Sequence, residues 1–536
     1  MPQGRTLPCC WRGHLGRLPA SAVLAVLAVF AVFALGGCAS IQSGHQATPS
    51  HAFDAPVQTR LGQAFAAQQA AHPGQSGFRL INNGVSALLT RAAMADAAER
   101  SLDLQTYIFE ADESGCFLLE RVLAAAGRGV RVRLLVDDYV RGLPDRLLHF
   151  LDAHPQIEVR VFNPYPGRAD WSRSLQMIFN LDQLGQRMHN KMFLVDAQVG
   201  ILGGRNIGNH YFEAQSDSNF RDIDVFASGP IVRQAGANYD RYWNSAIVVP
   251  VAAFPPAEPM TALDEACPAR STAAGPQIEY AARGAEFGSR VASPAGLTWA
   301  RGTTVAETPV RSTVARSLAP SSIALLHARA RREVKQELLA AVAYFVPGQQ
   351  GTGLLTGLAA RGVRVRVLTN SLASTDVVAV HSGYARYREP LLAGGVELHE
   401  YLPESVRPAP AAHRMRLGAS ASTLHAKVAV YDRRLLWIGS ANFDARSGRI
   451  NTETGVMIDS PELAARVAQS LERDLAPTQS WKLALGWDAA HSRHQVTWSA
   501  VRGGAALTLA REPDAPLSRH LEAAFYSLIP GLEDLL

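Results

Sequence analysis

The sequence predicts an α/β protein built from two homologous halves, and three observations predict it. The segments "MHNKMFLVDAQVGILGGRN" (188–206) and "LHAKVAVYDRRLLWIGSAN" (424–442) carry His, Lys, Asp and Asn at one spacing: His425, Lys427, Asp432 and Asn442 each lie 236 positions after His189, Lys191, Asp196 and Asn206. The preceding stretches repeat as well, "AAAGRGVRVRLLVDD" answering "GLAARGVRVRVLTNS" and "QTYIFEADESG" answering "VAYFVPGQQG", which marks an internal duplication. Around both motifs, strand patterns alternate with helix patterns, the order of a mostly parallel sheet sandwiched between helices.

In chain order, the first 40 residues stand apart. Arg5, Arg12 and Arg17, with no acid, precede the apolar run Ala22 to Leu35 and then "LGGCAS", the order of a secretory signal. The run is 14 residues long, short of the ~20 that a spanning helix needs. Leu35-Gly36-Gly37-Cys38 resembles the bacterial lipoprotein signal, in which the cysteine is lipidated and becomes the mature N-terminus. An uncleaved anchor with an incidental cysteine is the alternative, and the long basic region leaves a downstream start codon open. Residues 1–37 are therefore read as signal peptide and 38–76 as a polar tether.

The first half, 77–248, reads as helix ("VSALLTRAAMADAAER"), strand ("LDLQTYIF"), helix (Cys116 to Ala126), strand ("VRVRLLVDD"), helix ("PDRLLHFLDA") and strand ("IEVRVF"). The motif strands, "DIDVFASG" and a helix from Pro230 to Trp243 follow. Within each motif strand alternation puts His and Lys on one face, and the Asp on the other, at the strand end where a turn opens. A connector rich in Ala, Pro, Ser and Thr spans 249–319. The second half, 320–476, repeats the order through "VRVRVLTN", "YARYREPLLAGG" and "VELHEY", and closes with "SPELAARVAQSLERDL", with Ser460 as N-cap and Pro461 in the first turn. The extension 477–536 holds a strand, "HQVTWSAV", and an amphipathic helix near "SRHLEAAFYSLI".

Composition fits a large globular enzyme: 536 residues, 47% hydrophobic, 18% charged and no block of like charges. Loss of residues 1–37 removes three positive charges and no negative ones, leaving a formal charge of +2. That is too little for a nucleic-acid footprint. Cys116 reads as a small core residue and Cys267 sits in the connector; the sequence leaves open whether they pair.

The paired "HxKxxxxD" runs, followed by "GGRN" and "GSAN", make the chain resemble the phospholipase D superfamily. The stretches "SLDLQTYIFEADESG", "GGRNIGNHYF", "YDRYWNS", "TNSLASTDVVAVHSGYARYR" and "YFVPG" look like the bacterial cardiolipin synthases of type C, from about Gly77 to the C-terminus. Two departures from that pattern, "VAYFVPG" for "SPYFVPG" and "IPGLEDLL" for "LPIE", leave the motifs untouched and bear on acceptor choice. The resemblance implies two phospholipase D-like α/β/α sandwich halves packed about a pseudo-twofold axis, with both histidines facing one phosphate.

The chemistry can be argued from residue types. A phosphodiester needs cations or donors on its oxygens, a nucleophile and a proton source, and two His, two Lys and two Asn supply that set without a metal or other cofactor. By resemblance, His189 is the nucleophile, forming a phosphohistidine, and His425 the acid and base; Lys191, Lys427, Asn206 and Asn442 hold the phosphate oxygens. Asp196 and Asp432 belong to the catalytic motif as written, although strand alternation gives them a structural job. A nucleophilic histidine needs an acceptor for its other ring proton. Asp222 in "FRDIDV" and Glu453 in "NTETGV" resemble the family's histidine-orienting carboxylates.

Three function classes follow. The first is a phosphatidyltransferase making cardiolipin from phosphatidylglycerol and a second phospholipid, phosphatidylethanolamine among the candidates. The second is a hydrolase of the same fold acting on lipid or nucleic acid, against whose nuclease form the charge and lipid anchor count. The third, a non-catalytic envelope lipoprotein, does not explain two intact motifs. Anchorage at Cys38 implies the periplasmic side of a membrane, the outer one by default because Ala39 rather than Asp follows. One site shared by two halves implies a monomer.

Overall fold

The computed structural model describes residues 41, 47–140, 142–168, 185–214, 218–267, 275–309, 320–403, 421–488 and 492–534. The expected signal peptide and Cys38 lie outside them.

The N-terminal segment docks before the sheet begins. Ala52 donates its amide to both carboxylate oxygens of Asp240, and helix α1 (Arg60–Ala71) follows, capped by Thr59. The first half then runs β1 (Ser76–Ile81), α2 (Gly84–Ala97), β2 (Ser101–Thr106), α3 (Glu113–Gly127), β3 (Arg131–Asp137), α4 (Asp145–Asp152), β4 (Ile157–Phe162), β5 (Met192–Val195), β6 (Val199–Gly203), β7 (Ser218–Arg221), β8 (Asp224–Ser228), α5 (Pro230–Trp243) and β9 (Val248–Pro250). The helices start where side-chain caps satisfy their first amides: Asn83 accepts from Ser86 N and Asp112 from Gly115 N, each at 2.9 Å.

The sheet differs from the mostly parallel one expected. β2, β3 and β4 pair in parallel, but β2–β5, β5–β6, β6–β8, β8–β1 and β4–β9 are antiparallel. Only the helical crossovers through α3 and α4 can return the chain for a parallel strand. The motif hairpin β5–β6 closes through Asp196 and Ala197, with φ of 52° and 50°, and a turn that tight forces antiparallel pairing.

The stretch 249–319, read only as a connector, contributes α6 (Pro276–Val291) and β10 (Thr298–Ala306). The second half follows with α7 (Ser322–Glu333), β11 (Glu337–Val342), α8 (Gly348–Ala360), β12 (Arg364–Asn370), α9 (Val378–Ala385), α10 (Arg388–Ala393), β13 (Glu397–Tyr401), β14 (Ala421–Leu424), β15 (Lys427–Tyr431), β16 (Leu435–Gly439), α11 (Ala445–Arg449), β17 (Thr454–Asp459) and α12 (Pro461–Asp474). Ser460 caps α12 through Leu463 N at 3.2 Å, as its sequence predicts. The extension holds β18 (Ser480–Asp488), β19 (Arg493–Arg502), β20 (Ala505–Leu509) and α13 (Leu517–Ser527).

The pairing repeats the first half: β11–β12–β13 parallel, and β11–β15–β16–β17 antiparallel. β10 joins the two sheets into one, of 18 strands among the described residues. Its first three residues pair with β1 and the next six with β17. One core crosses the junction, with Leu202, Val225 and Trp243 of the first half packed with Val428, Ile438 and Val456 of the second. Cys116 and Cys267 form a disulfide, so Cys116 is a buried cystine anchor for the 249–319 stretch rather than a free core thiol.

Candidate active site

Both histidines and Lys191 sit just ahead of the motif strands, and Lys427 is the first residue of its own: β5 begins at Met192 and β15 at Lys427. The segments leave the sheet there because each is held by the opposite half. β14 runs parallel to β7, pairing Leu424 with Arg221, and His425 N donates to Arg221 O at 2.8 Å. The next residue after Arg221 is Asp222, whose Oδ2 lies 2.7 Å from His425 Nδ1. The other histidine is held the same way. Met188 bridges in parallel to Thr452, and His189 N donates to Thr452 O at 2.9 Å. That sets His189 Nδ1 2.8 Å from Glu453 Oε2. Each expected orienting carboxylate therefore reaches the histidine of the other half.

The lysines complete two matching sets. Lys191 Nζ donates to His189 O at 2.7 Å and Lys427 Nζ to His425 O at 2.6 Å. Lys191 stands 5.2 Å from the Tyr107 ring centroid and Lys427 5.9 Å from that of Tyr344. Tyr107 also meets His189 edge-on at 4.9 Å, as Tyr211 meets His425 at 5.3 Å. All six of these His, Lys and carboxylate side chains are buried. Among the asparagines, Asn206 accepts from Ile108 N at 3.2 Å and donates to the Tyr211 hydroxyl at 2.9 Å, while Asn442 Oδ1 is buried with no hydrogen-bond partner.

Electrostatics keep both rings neutral near pH 7. Burial, then the charges of Lys191, Lys427 and Arg446, hold His189 well below its ordinary range. Burial and Lys427 push His425 down to about 4, against the pull of Asp222. A neutral ring that donates Nδ1–H to a carboxylate presents its Nε2 lone pair. The carboxylates differ: burial pushes Glu453 up to about 7, only partly offset by Lys191. Burial also acts on Asp222, but the hydrogen bond and charge of His425, with Lys427 and Arg205, hold it below the usual carboxylate range. Burial lowers both lysines, Lys427 to about 8.

The "GGRN" and "GSAN" difference follows from carboxylate length. A Cβ on Gly204 would stand 2.8 Å from Asp222 Oδ2, so the first half leaves that space to the short aspartate. At the matching position of the second half, the Ser440 hydroxyl donates to Glu453 Oε2, and Ser447 donates to Oε1 at 2.7 Å.

Asp196 and Asp432 are not brought to this site, which corrects their place in the catalytic motif. Asp196 accepts from the amides of Glu99, Arg100 and Ser101 at 2.8–3.0 Å. Asp432 accepts from those of Lys335, Gln336 and Glu337 at 2.8–2.9 Å. Each ties its hairpin turn to the start of a neighbouring strand, β2 or β11. Sequence reasoning passed over Tyr107, Tyr344, Ser440 and Ser447. The tyrosines had a signal, since both stand at matching places in the repeated "QTYIF" and "VAYFV" flanks, and so had Ser440, which stands in "GSAN" where "GGRN" has Gly204; Ser447 had none.

Residues 92–243 and 329–475 match the family model described as cardiolipin synthase, PLD-like domain. The chain is 34% identical to cardiolipin synthase C of Escherichia coli (strain K12) over 482 residues, covering 88% of this chain and 98% of that one. It is 25% identical over 409 residues to cardiolipin synthase A of Pseudomonas fluorescens, covering 74% and 69%. A crystal structure of phosphatidylserine synthase from Haemophilus influenzae Rd KW20 shares the fold, with a TM-score of 0.51 at 12% identity over 78% of this chain and 92% of that one.

Proposed function

Because the chain belongs to the cardiolipin synthase family with phospholipase D-like domains, we propose that it transfers a phosphatidyl group from phosphatidylglycerol to the hydroxyl of a second phospholipid, making cardiolipin. The observation that carries the mechanism is the crossed pairing of His189 with Glu453 and His425 with Asp222. It sets two neutral imidazoles beside two lysines, with Lys427 Nζ 3.0 Å from His425 Nε2.

In the first step the His189 Nε2 lone pair attacks phosphorus and the bond to the glycerol headgroup oxygen breaks, leaving a phosphohistidine. Substrate binding brings a proton from solvent onto His425 Nε2, where the phosphate anion helps to hold it, and the departing oxygen takes that proton. In the second step His425 takes the proton of the acceptor hydroxyl, whose oxygen displaces His189 from phosphorus. Lys191, Lys427, Asn206 and Asn442 hold the phosphate oxygens through both steps. Asn442 Oδ1 can accept a hydrogen bond from a hydroxyl of a polyol headgroup while its amide nitrogen donates to phosphate.

The enzyme acts as a monomer anchored through lipidated Cys38 at the periplasmic face of a membrane, the outer one by default. The Cys116–Cys267 disulfide suits that oxidising compartment. Transfer outruns hydrolysis because the acceptor is concentrated in the bilayer plane, whereas water must enter a closed site. The test is product analysis with labelled phosphatidylglycerol in vesicles, with and without phosphatidylethanolamine. Labelled cardiolipin is expected, and His189→Ala and His425→Ala should each abolish it in folded protein. Phosphatidic acid as the dominant product under every membrane condition would make the protein a phospholipase.

A further inference from the structure

The last helix, α13, buries none of its side chains. Leu517, Leu521, Phe525 and Leu528 recur at helical spacing with exposures of 73%, 63%, 62% and 79%, so an apolar stripe faces outward. What holds the helix is polar. Arg519 donates to the carbonyls of Leu372 and Thr375 at 2.8 and 2.7 Å, Ser382 Oγ to Ala523 O at 3.1 Å, and Arg386 to Ser527 O at 2.6 Å. This inverts the usual placing of an amphipathic helix.

The surroundings extend the pattern. Trp487, 63% exposed, stands at the end of the β18–β19 hairpin with its ring 5.3 Å from His494, and His494 and Leu517 line one surface hollow. Of the nearby acids, Glu522 on α13 and Glu389 in the hollow are exposed, while Glu512 bonds Arg388 and His381, Asp514 accepts from Trp481 and Arg502, and Glu533 accepts from the Tyr387 hydroxyl. Arg511 is exposed too. The loop that Arg519 grips carries Asp376, which is exposed and accepts from the Tyr344 hydroxyl at 2.7 Å. Tyr344 is the ring beside Lys427. One loop thus links the helix that carries the stripe to the candidate site.

We infer that this stripe docks the protein on a phospholipid bilayer: α13 lies in the interface with its four apolar side chains among the upper acyl chains and Trp487 at headgroup level. The inference rests on the lipid substrate proposed above and adds the surface through which that substrate is reached. Among the described residues no helix is long and apolar enough to cross a membrane, which leaves an interfacial helix as the fit. A second copy fits less well, because four exposed apolar side chains fall far short of the roughly 20–30 residues a side of a stable interface. Exposed tryptophan suits the headgroup layer.

The experiment uses the full lipid-anchored chain in phosphatidylglycerol/phosphatidylethanolamine vesicles, with a nitroxide on Phe525→Cys. The label should be open to oxygen and at least tenfold less open to a water-soluble nickel chelate than in detergent-free buffer without vesicles. Separately, Leu521→Gln with Phe525→Gln should lower turnover of vesicle lipid about tenfold and leave turnover of detergent-dispersed short-chain phosphatidylglycerol within twofold. A label that stays in water on vesicles, shielding that needs only more protein and no lipid, or unchanged vesicle turnover in the double variant overturns the docking face. Cardiolipin formed while the label stays in water refutes the docking alone; a membrane-buried label with no cardiolipin formed upholds the docking and refutes the reaction.

Discussion

His425 depends on a carboxylate 203 positions away in the chain, and its burial decides how the protein meets acid. Burial and Lys427 push it from 6.5 down to about 4. Between those values the unfolded chain binds a proton that the folded protein refuses. Stability from this residue is therefore complete above about 6.5 and lost as pH falls toward 4, by about 2 kcal/mol between pH 7 and 4.5. Glu453, pushed from 4.5 up to about 7 by burial, has the opposite sign, since there the folded state holds the extra proton. His425→Gln should remove the first contribution and keep the second. Urea unfolding at pH 7 and 4.5 measures both proteins; equal losses on acidification would contradict a buried neutral His425.

At the scale of elements, the two motif hairpins are fixed by their aspartates rather than armed by them. Three backbone amides converge on Asp196 and three on Asp432, and among the described residues no histidine bonds either. Asp196→Ala should cost about 3 kcal/mol of stability, at about 1 kcal/mol for each lost hydrogen bond. Turnover by the folded variant should stay within a few fold of the parent. Thermal unfolding and activity measured on one preparation separate the effects. A hundredfold loss of turnover at unchanged stability would place Asp196 in the chemistry.

At the scale of the whole molecule, the halves are not independent lobes that meet at a cleft. β10 pairs with both sheets, one hydrophobic core crosses the junction, and each histidine takes its carboxylate from the opposite half. The Cys116–Cys267 bridge spans 151 positions and pins the stretch between the halves to α3. Closing so long a loop constrains the unfolded chain by at most about 5 kcal/mol. Cys116→Ser with Cys267→Ser should therefore unfold at a clearly lower temperature, and the parent should shift likewise in reductant, while the site, which the bridge does not touch, keeps its activity in the cold. Equal melting temperatures would mean that the bridge adds nothing.

The duplication, the α/β class and the identity of the His, Lys and Asn residues were determined by the sequence alone, because local spacing and repetition are written along the chain. The caps at Ser460 and the turn at Asp196 were legible for the same reason: each is settled by residues within a few positions. The antiparallel share of the sheet, the strand hidden in the 249–319 stretch and the partner of Cys116 were decided only by the tertiary structure. So was the crossing of the carboxylates. Parallel pairing of β7 with β14, and of Met188 with Thr452, joins residues more than 200 positions apart, and such contacts leave no periodicity in either segment. Sequence could name Asp222 and Glu453; only the packing of one half against the other could say which histidine each one holds.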